Sequence, residues 1–583
     1  MRQPSTLERD RALTHQREIH PAYLLGLWTV VGAALRLVNL GSLPPWTDEF
    51  ATLAFSLGNG FGSVPLDQVI SAETLLSPLQ VRPEAGPQDV VATLLTESTH
   101  PPLYFLLTHG WLQLFGSQEG LVSVWGARSL SVIFGVALIP AMFGASWLLF
   151  RSRAIAHLSA LLMAVSPFGL FLARQARHYT LTMLLVLAST VAFVWAWQAL
   201  RRRQPLPWPR AIAWVLANAI GIATHYFFAL VLAAQFLVLV AEAYRQGRRD
   251  PKALMQPSWR SLYGVIAATV ASGLPWLPIV LAAHASAPTR WIYDGSPLED
   301  VLEPLLRLAM WLLSMVFLLP SSATVLPVPL LILFGLGSVA IALWIGPGLW
   351  RGWRRSQRDP ATRAVVRPLG LYLASAIALC LGLTYVLGLD LTLAARFQFF
   401  YFPALLLVLS GALWTHWRAP KAMMPGPFWQ GSGRSLVVGV LLVGLLGAGV
   451  VAANLGYLEN RRSDLLVPIL RQGTQAPALV AATHKHHGET GRLMSIAWEM
   501  RRTQAAPDEV LPQFLLARRD NATRSYGPAI AVLAEALQTL PRPFDLWLVD
   551  FRGPVQPEQQ NCLPDPDYRG TAGEYRYRLY RCR

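Results

Sequence analysis

Two adjacent carboxylates, Asp48 and Glu49, stand shortly after the first long apolar run of the chain, where the segment 44–49 reads PPWTDE. Ionisable groups beside such runs usually face a cavity rather than lipid. A carboxylate in a cavity can accept the proton of a hydroxyl group, which is the role of a general base. In the alternative interpretation Asp48 caps a helix along the membrane surface, and Glu49 occupies its first turn. Residue spacing alone leaves both interpretations open.

Histidine, arginine and tyrosine side chains recur beside other apolar runs. The segment 99–105 reads THPPLYF, 174–179 reads RQARHY and 224–226 reads THY, while Arg396 is followed by FQFFY. Arginine binds phosphate oxygens through paired hydrogen bonds, so these positions suit a phosphate-bearing ligand. The histidines can equally cap helices, and the arginines can reach lipid headgroups. The candidate binding residues are His100, Arg177, Tyr179, His225, Tyr226 and Arg396.

Long apolar runs are the elements that must position these groups. Of the 583 residues 53% are hydrophobic and 14% are charged, against about a quarter charged in soluble proteins. The sequence therefore predicts a polytopic, all-α membrane bundle. Two segments, 101–115 and 301–319, are short or interrupted by charge; they either lie along the interface or raise the number of spans to thirteen. We count eleven other spans, at 23–40, 130–150, 155–172, 179–200, 208–223, 227–243, 262–281, 328–350, 369–388, 397–414 and 436–455.

Basic residues are distributed unevenly between the connecting segments. With eleven spans and the N-terminus inside, the inner segments hold 24 Lys and Arg and the outer loops hold 7. This bias predicts a multi-pass protein of the plasma or inner membrane with a cytoplasmic N-terminus. The net charge of +16 is divided into short clusters between apolar runs, so no nucleic-acid partner is expected. The acidic, histidine and arginine candidates all fall on the outer side.

The more polar C-terminal segment is also placed outside by this count. Strand-like apolar runs at 478–482 and 546–549, an alternating pattern at 575–580 and a helical pattern at 528–540 predict a small α/β domain. The predicted organisation is a cytoplasmic segment 1–22, a transmembrane module 23–455 that includes a first outer loop 41–129, and an extracytoplasmic domain 456–583.

Two of the three cysteines, Cys562 and Cys582, lie in this C-terminal domain. Disulfides persist in the oxidising environment outside the cytoplasm, so the two thiols can pair there. Closing a loop of about twenty residues would stabilise the fold by roughly 3 kcal/mol.

The motifs occur in a particular order: Asp48-Glu49, then HPPLYF at 100–105, SPF at 166–168 and QARHY at 175–179. This order resembles the bacterial branch of the protein O-mannosyltransferase and aminoarabinose-transferase superfamily, which are GT-C glycosyltransferases. The similarity covers residues 1 to about 230, and a weaker similarity is found at 396–403. The resemblance implies a GT-C bundle, a polyprenyl-phosphate-sugar donor and mannosyltransferase-like chemistry at the extracytoplasmic face of the cell envelope.

The resemblance also implies a role for individual residues. Asp48 matches the family's first-loop Asp, the catalytic carboxylate, and Glu49 would support or position it. Arg177 and Arg396 would contact the donor phosphate, and His225 matches a histidine that faces the same cavity.

One departure from the family concerns metal binding. Many bacterial relatives read Gln-Glu-Ala-Arg where this chain has RQAR at 174–177, so Gln175 replaces a potential metal ligand. His100 and His225 could still join a Zn²⁺ site, although two ligands from distant loops make a weak case. No cofactor is therefore predicted with certainty, and a divalent metal stays an open alternative.

We expect single-step, inverting transfer of a hexosyl or pentosyl group from the lipid-linked donor, with Asp48 as the base. The acceptor hydroxyl belongs to a lipid, a glycan or a protein, and the sequence names neither it nor the sugar. The rival class is a secondary transporter or lipid-carrier flippase, which tends to show paired repeats and broken helices near the bilayer midplane. A structural membrane protein is a third class, but it would need no concentration of acid and arginine.

Overall fold

The computed structural model describes residues 21–98, 100–117, 119–283, 301–317, 327–418, 433–456, 462–504, 506 and 509–583. The predicted cytoplasmic segment 1–22 lies outside the described residues, apart from its last two. Helices make up most of the described chain, and one small sheet is formed mainly by its C-terminal part.

Eighteen described helices precede the C-terminal domain. They are α1 Pro21–Leu37, α2 Thr47–Ser56, α3 Ala72–Leu75, α4 Pro87–Glu97, α5 Leu103–Leu112, α6 Val124–Phe150, α7 Arg153–Val165, α8 Pro167–Ala173, α9 Tyr179–Arg202, α10 Trp208–Thr224, α11 Phe228–Gly247, α12 Pro257–Gly273, α13 Leu277–Ala283, α14 Leu302–Ser314, α15 Val328–Ser356, α16 Pro360–Leu387, α17 Phe402–Trp417 and α18 Gly433–Ala452.

Every one of the eleven predicted spans coincides with a helix or a helix pair. Within the described residues, seven helices are long and apolar enough to cross a membrane, and the bent pair of α7 and α8 makes an eighth. The other three predicted spans coincide with α1, α10 and α17, which have 16 or 17 residues each. The all-α membrane class is thus confirmed in its coarse form, whereas the number eleven stays a prediction.

The two ambiguous segments form short helices. Helix α5 has 10 residues and α14 has 13, which at 1.5 Å per residue gives lengths of about 15 and 20 Å. Neither helix alone can cross a hydrocarbon core of about 30 Å. Their lengths fit the interfacial interpretation.

A buried arginine supports the bend between α7 and α8. The two helices meet at 57°, and Pro167 has no N–H to donate to the carbonyl of Met163. The fully buried Arg36 of α1 donates to the carbonyl oxygens of Met163 and Ala164 at 3.0 and 3.2 Å. The bend directs the chain into the loop that carries Arg177.

The C-terminal domain contains helices α19 Ser463–Gly473, α20 His487–Arg502 and α21 Gly527–Thr539. The sheet has the order β1-β3-β2-β4-β6-β5, in which β2 pairs in parallel with β3 and β4 and the other pairs are antiparallel. The strands are β1 Val69–Ile70, β2 Ala478–His484, β3 Gln513–Arg518, β4 Phe544–Val549, β5 Cys562–Ala572 and β6 Tyr575–Cys582. The predicted small sheet is confirmed, and the predicted helix and three strands coincide with α21, β2, β4 and β6. Cys562 and Cys582 are opposite each other in β5 and β6 and form a disulfide.

The first outer loop and the C-terminal domain share one hydrophobic core. Strand β1 comes from the loop and pairs with β3 of the domain. Phe50 and Leu53 of α2 belong to the same buried cluster as Met494 and Ala497 of α20. Because the sheet itself takes a strand from the loop, the loop 41–129 and the domain 456–583 pack as one unit on the membrane helices. The domain boundary at 456 stays a prediction.

Candidate active site

Helix α2 carries both carboxylates and begins directly before them. Glu49 is 1% exposed, and its two oxygens accept from Nε and Nη2 of Arg128, each at 2.8 Å. The backbone N–H of Ala176 donates to Glu49 at 2.8 Å, and that of Trp46 donates at 3.4 Å. Through Arg128 and Ala176, Glu49 ties the start of α2 to α6 and to the loop before α9.

Arg128 is a site residue that the sequence analysis missed. It is 4% exposed, lies on α6, and donates to the backbone carbonyls of Leu40, Leu43 and Pro44 as well as to Glu49. The available signal was its position: it is one of two basic residues in the long first outer loop, directly before the second predicted span.

Asp48 faces the opposite way and is about one-third exposed. Its Oδ2 lies 4.0 Å from Nη2 of Arg177 and 3.8 Å from Nε of Arg396. The structure therefore brings together an acid after the first span, an arginine from the second outer loop and an arginine before the tenth span. These distances correspond to ion pairs rather than to direct hydrogen bonds.

Arg177 is fixed by several neighbours and is 3% exposed. Its Nη1 donates to the backbone carbonyl of Asp48 and to Thr52 Oγ1, both at 2.9 Å. Its Nη2 donates to Nε2 of His100 at 3.2 Å, and its guanidinium lies 5.8 Å from the ring centroid of Tyr179. Few alternative positions are open to this cation.

Arg396 is held by aromatic rings. It lies in a 3₁₀ turn, Ala395–Phe400, and its guanidinium is 4.9 Å from the ring of Trp46 and 5.3 Å from that of Phe397. Arginine stacks on aromatic faces while its N–H groups remain directed to the side. Trp46 thereby links the motif around Arg396 to the segment that starts α2.

Three imidazoles lie side by side behind Arg177. The ring centroids of His100 and His178 are 5.6 Å apart, and those of His178 and His225 are 4.2 Å apart. Burial, together with the charge of Arg177, lowers the pKa of His100 to about 3, although Asp48 opposes the shift. Burial also holds the pKa values of His178 and His225 well below the usual value for histidine. At neutral pH all three rings are uncharged.

The hydrogen bonds define the tautomer of His100. Because guanidinium is only a donor, the Nε2 that contacts Arg177 must be the acceptor. Nδ1 then carries the proton and donates to Ser98 Oγ at 3.0 Å.

Tyr179 and Tyr226 are placed differently. The ring of Tyr179 lies 6.0 Å from that of His225 and belongs to the same group as Arg177. The ring of Tyr226 instead lies 6.5 Å from that of Trp276, and its hydroxyl has no hydrogen-bond partner. Among the predicted binding residues Tyr226 is thus the one without a described contact to this group.

The local charge balance favours an anionic ligand. Glu49 and Arg128 neutralise each other, whereas Asp48 faces two guanidinium groups and leaves one excess positive charge. Within the described residues, no group of three or more His, Cys, Asp or Glu side chains could hold a metal ion.

Neither a family model nor a curated protein matches the chain. Among solved structures it is similar to ArnT from Cupriavidus metallidurans bound to undecaprenyl phosphate, at 12% identity and a TM-score of 0.46, over 96% of this chain and 97% of that one. It is also similar to the oligosaccharyltransferase of Archaeoglobus fulgidus in the apo form, at 12% identity and a TM-score of 0.45, over 92% of this chain and 70% of that one.

ArnT is an aminoarabinose transferase, and both neighbours are GT-C glycosyltransferases. The Archaeoglobus protein, AglB, has also been solved with an inhibitory peptide and a dolichol-phosphate, and this match has a TM-score of 0.41. With 12% identity and TM-scores below 0.5 the likeness is distant, and the lipids belong to those proteins.

Proposed function

We propose that the chain is a membrane glycosyltransferase that transfers a sugar from a polyprenyl-phosphate donor to an acceptor hydroxyl at the extracytoplasmic face. One observation supports it above all others: the half-open carboxylate of Asp48 lies within 4.0 Å of both Arg177 and Arg396. A carboxylate that can act as a base and two guanidinium groups that can bind a phosphate thereby lie side by side, close to the membrane helices. These are the groups that glycosyl transfer from a lipid phosphate requires.

The donor phosphate binds to the two guanidinium groups in this proposal. Arg177 keeps its place because Asp48 and Thr52 accept from Nη1, and Arg396 keeps its place on Trp46. Preorganised cations stabilise the negative charge that develops on a leaving phosphate without reorganising in the transition state. The lipid tail stays in the bilayer while the sugar lies beside Asp48, Arg177 and Arg396.

Asp48 accepts the proton of the acceptor hydroxyl. The acceptor oxygen forms a bond to the anomeric carbon from the face opposite the phosphate, which inverts that carbon. The bond between the anomeric carbon and the phosphate oxygen breaks, and its electron pair leaves with the polyprenyl phosphate. A positioned base contributes roughly 10²- to 10⁴-fold to the rate.

Glu49 supports this reaction without touching the substrates. Its oxygens accept from Arg128, Ala176 and Trp46, and it is nearly inaccessible to solvent. A carboxylate that is engaged in this way has no role as a second base. We assign it to positioning α2 against the loop that carries Arg177.

The orientation of the chain is part of the proposal. The positive-inside bias favours a cytoplasmic N-terminus, and the disulfide of β5 and β6 fits an oxidising compartment for the C-terminal domain. Asp48 lies on the same side of the membrane helices as the C-terminal domain, because α2 packs against α20 of that domain. The plasma or inner membrane is the expected location.

The test uses the purified full chain in detergent, incubated with a panel of radiolabelled polyprenyl-phosphate sugars and candidate acceptors. We expect Asp48→Asn to reduce transfer by roughly 10²-fold or more. Glu84→Gln, an exposed acid in the same loop, is the matched control and keeps wild-type transfer. Near-normal transfer by a folded Asp48→Asn variant would remove Asp48 as the base, and a wild-type protein that consumes no donor without a sealed compartment would favour a transporter.

A further inference from the structure

We infer that Gly491 and Ser495 of the C-terminal domain are positioning residues for Asp48. Both lie on α20, and both contact the few residues that start α2. The inference rests on the proposed function, because it assigns the domain a part in the same reaction. It adds to the domain a role in setting the position of the base.

The first contact is a close approach of α20 to Thr47, at which any side chain in place of glycine would press on the start of α2. A Cβ built on Gly491 would lie 3.1 Å from Cγ2 and 3.3 Å from Cα of Thr47, the residue directly before Asp48. Gly491 lies inside α20 with the conformation of the helix, where alanine would be favoured by up to about 1 kcal/mol. Helix α20 itself would therefore favour alanine at this position. The close packing against α2 explains why glycine is found there instead.

The second contact is a hydrogen bond to the segment ahead of α2. Ser495 Oγ donates to the backbone carbonyl of Pro45 at 3.1 Å, and both residues are buried. Ser463 of α19 contacts Ser495 through its hydroxyl at 2.8 Å and donates to its carbonyl at 3.0 Å. A short buried series of hydroxyl groups thus connects the domain to the backbone three residues before Asp48.

The membrane bundle holds the other side of the same segment. Arg128 donates to the backbone carbonyls of Leu40, Leu43 and Pro44, and Arg177 donates to that of Asp48. The start of α2 is therefore clamped between the bundle, which carries both phosphate-binding arginines, and α20. The position of α20 determines how far the base lies from those arginines.

Small displacements at this point are expected to alter the chemical step. A catalytic group displaced by about 1 Å can lose on the order of 10²-fold in rate. A methyl group at Gly491 must move Thr47 by a few tenths of an ångström, and Asp48 moves with it. We expect Gly491→Ala to reduce kcat roughly 10-fold.

The experiment measures kcat, donor KM and thermal unfolding of full-length variants in detergent. Gly110→Ala is the matched control, since its methyl would enter open space on an outer helix, and it should behave as wild type. Thr47→Ser removes the methyl group nearest to Gly491. Combined with Gly491→Ala, it should restore part of the lost kcat while the unfolding temperature stays that of Gly491→Ala alone or of wild type, which separates a displaced base from a loss through misfolding.

A second pair of variants isolates the hydrogen bond. Ser495→Ala and Ser463→Ala both lose the contact between the two hydroxyls, but only Ser495→Ala loses the bond to Pro45. We expect kcat to fall by roughly 2- to 10-fold in Ser495→Ala and to remain near wild type in Ser463→Ala.

The outcomes separate this inference from the proposed function. If Asp48→Asn abolishes transfer while Gly491→Ala and Ser495→Ala keep wild-type kcat, the positioning role is wrong and the proposed function stands. If Gly491→Ala lowers kcat only together with the unfolding temperature, and Thr47→Ser restores neither, the contact is merely structural. If Asp48→Asn is fully active, Asp48 is not the base and the positioning role is wrong as well, whereas donor consumption by the wild-type protein still supports a transferase.

Discussion

The buried pair of Glu49 and Arg128 allows a sharp test of how the two carboxylates divide their roles. Glu49→Gln keeps the shape of the side chain and removes its charge, and it places an amide NH₂ against a guanidinium that can only donate. Arg128→Met removes the cation and keeps an apolar side chain of similar length. The double variant Glu49→Met, Arg128→Met removes both charges.

The magnitude follows from burial. Glu49 and Arg128 are 1% and 4% exposed, so each single variant leaves an uncompensated charge, or its hydrogen-bond partners, in the interior. Breaking a buried pair in this way costs about 3–5 kcal/mol. Asp48 is one-third exposed and its two ion pairs are 4.0 and 3.8 Å long, so Asp48→Asn should cost less stability than the loss of either member of the buried pair.

The assay is unfolding of the full chain in mixed micelles by an increasing fraction of denaturing detergent, together with transfer activity of the folded fraction. We expect the double variant to be more stable than the sum of the two single losses predicts, by about 1–3 kcal/mol. Arg128 also donates to the carbonyls of Leu40, Leu43 and Pro44, so the double variant remains less stable than wild type.

Two results would refute this reasoning. Strict additivity of the two single losses would show that the charges do not depend on each other. A Glu49→Gln variant with wild-type stability but no transfer would show that Glu49 acts on the substrate, and the assignment of Asp48 as the single base would then be wrong.

Two further predictions concern Arg396 and His100. Arg396→Lys keeps the charge but loses the planar fork and the stacking on Trp46, so kcat/KM for the donor should fall roughly 10- to 100-fold, and unchanged donor kinetics would contradict phosphate binding there. The pKa of His100 is 6.5 in the unfolded chain and about 3 when folded, so below pH 6.5 the unfolded state binds a proton that the folded state does not, and stability falls as the pH decreases. At pH 5 this proton uptake lowers the free energy of unfolding by about 2 kcal/mol. His100→Asn should therefore lose less stability than wild type between pH 7 and pH 5. An identical loss in both proteins would contradict the lowered pKa of His100.

Much of the architecture follows from local sequence patterns. Hydrophobic runs locate the helices because burial in lipid demands them, and the distribution of Lys and Arg places Asp48, Arg177 and Arg396 on one side without knowledge of the fold. The strands Ala478–His484 and Phe544–Val549 contain the predicted runs 478–482 and 546–549, which are apolar at every position, as expected of central parallel strands.

Contacts between distant segments were not predictable in this way. Arg128 pairs with a carboxylate 79 positions away, and a single sequence does not record that pairing. Strand β1 has two residues, too few to show a period, and its pairing with β3 depends on the whole C-terminal domain. The close approach of Gly491 to Thr47 likewise exists only after two separate units have packed.

The pairing of Val69–Ile70 with Phe514–Leu515 also has a consequence for biogenesis. A ribosome must make nearly the entire polypeptide before that ladder can close. Until then Phe50 and Leu53 lack the neighbours that cover them at maturity. A nascent chain that lacks β3 would already contain Arg177 and Arg396. Its Asp48 would not yet be held by α20 of the C-terminal domain. The proposed transfer activity would thus be acquired only when synthesis is nearly complete, so incomplete chains would not consume the lipid-linked donor.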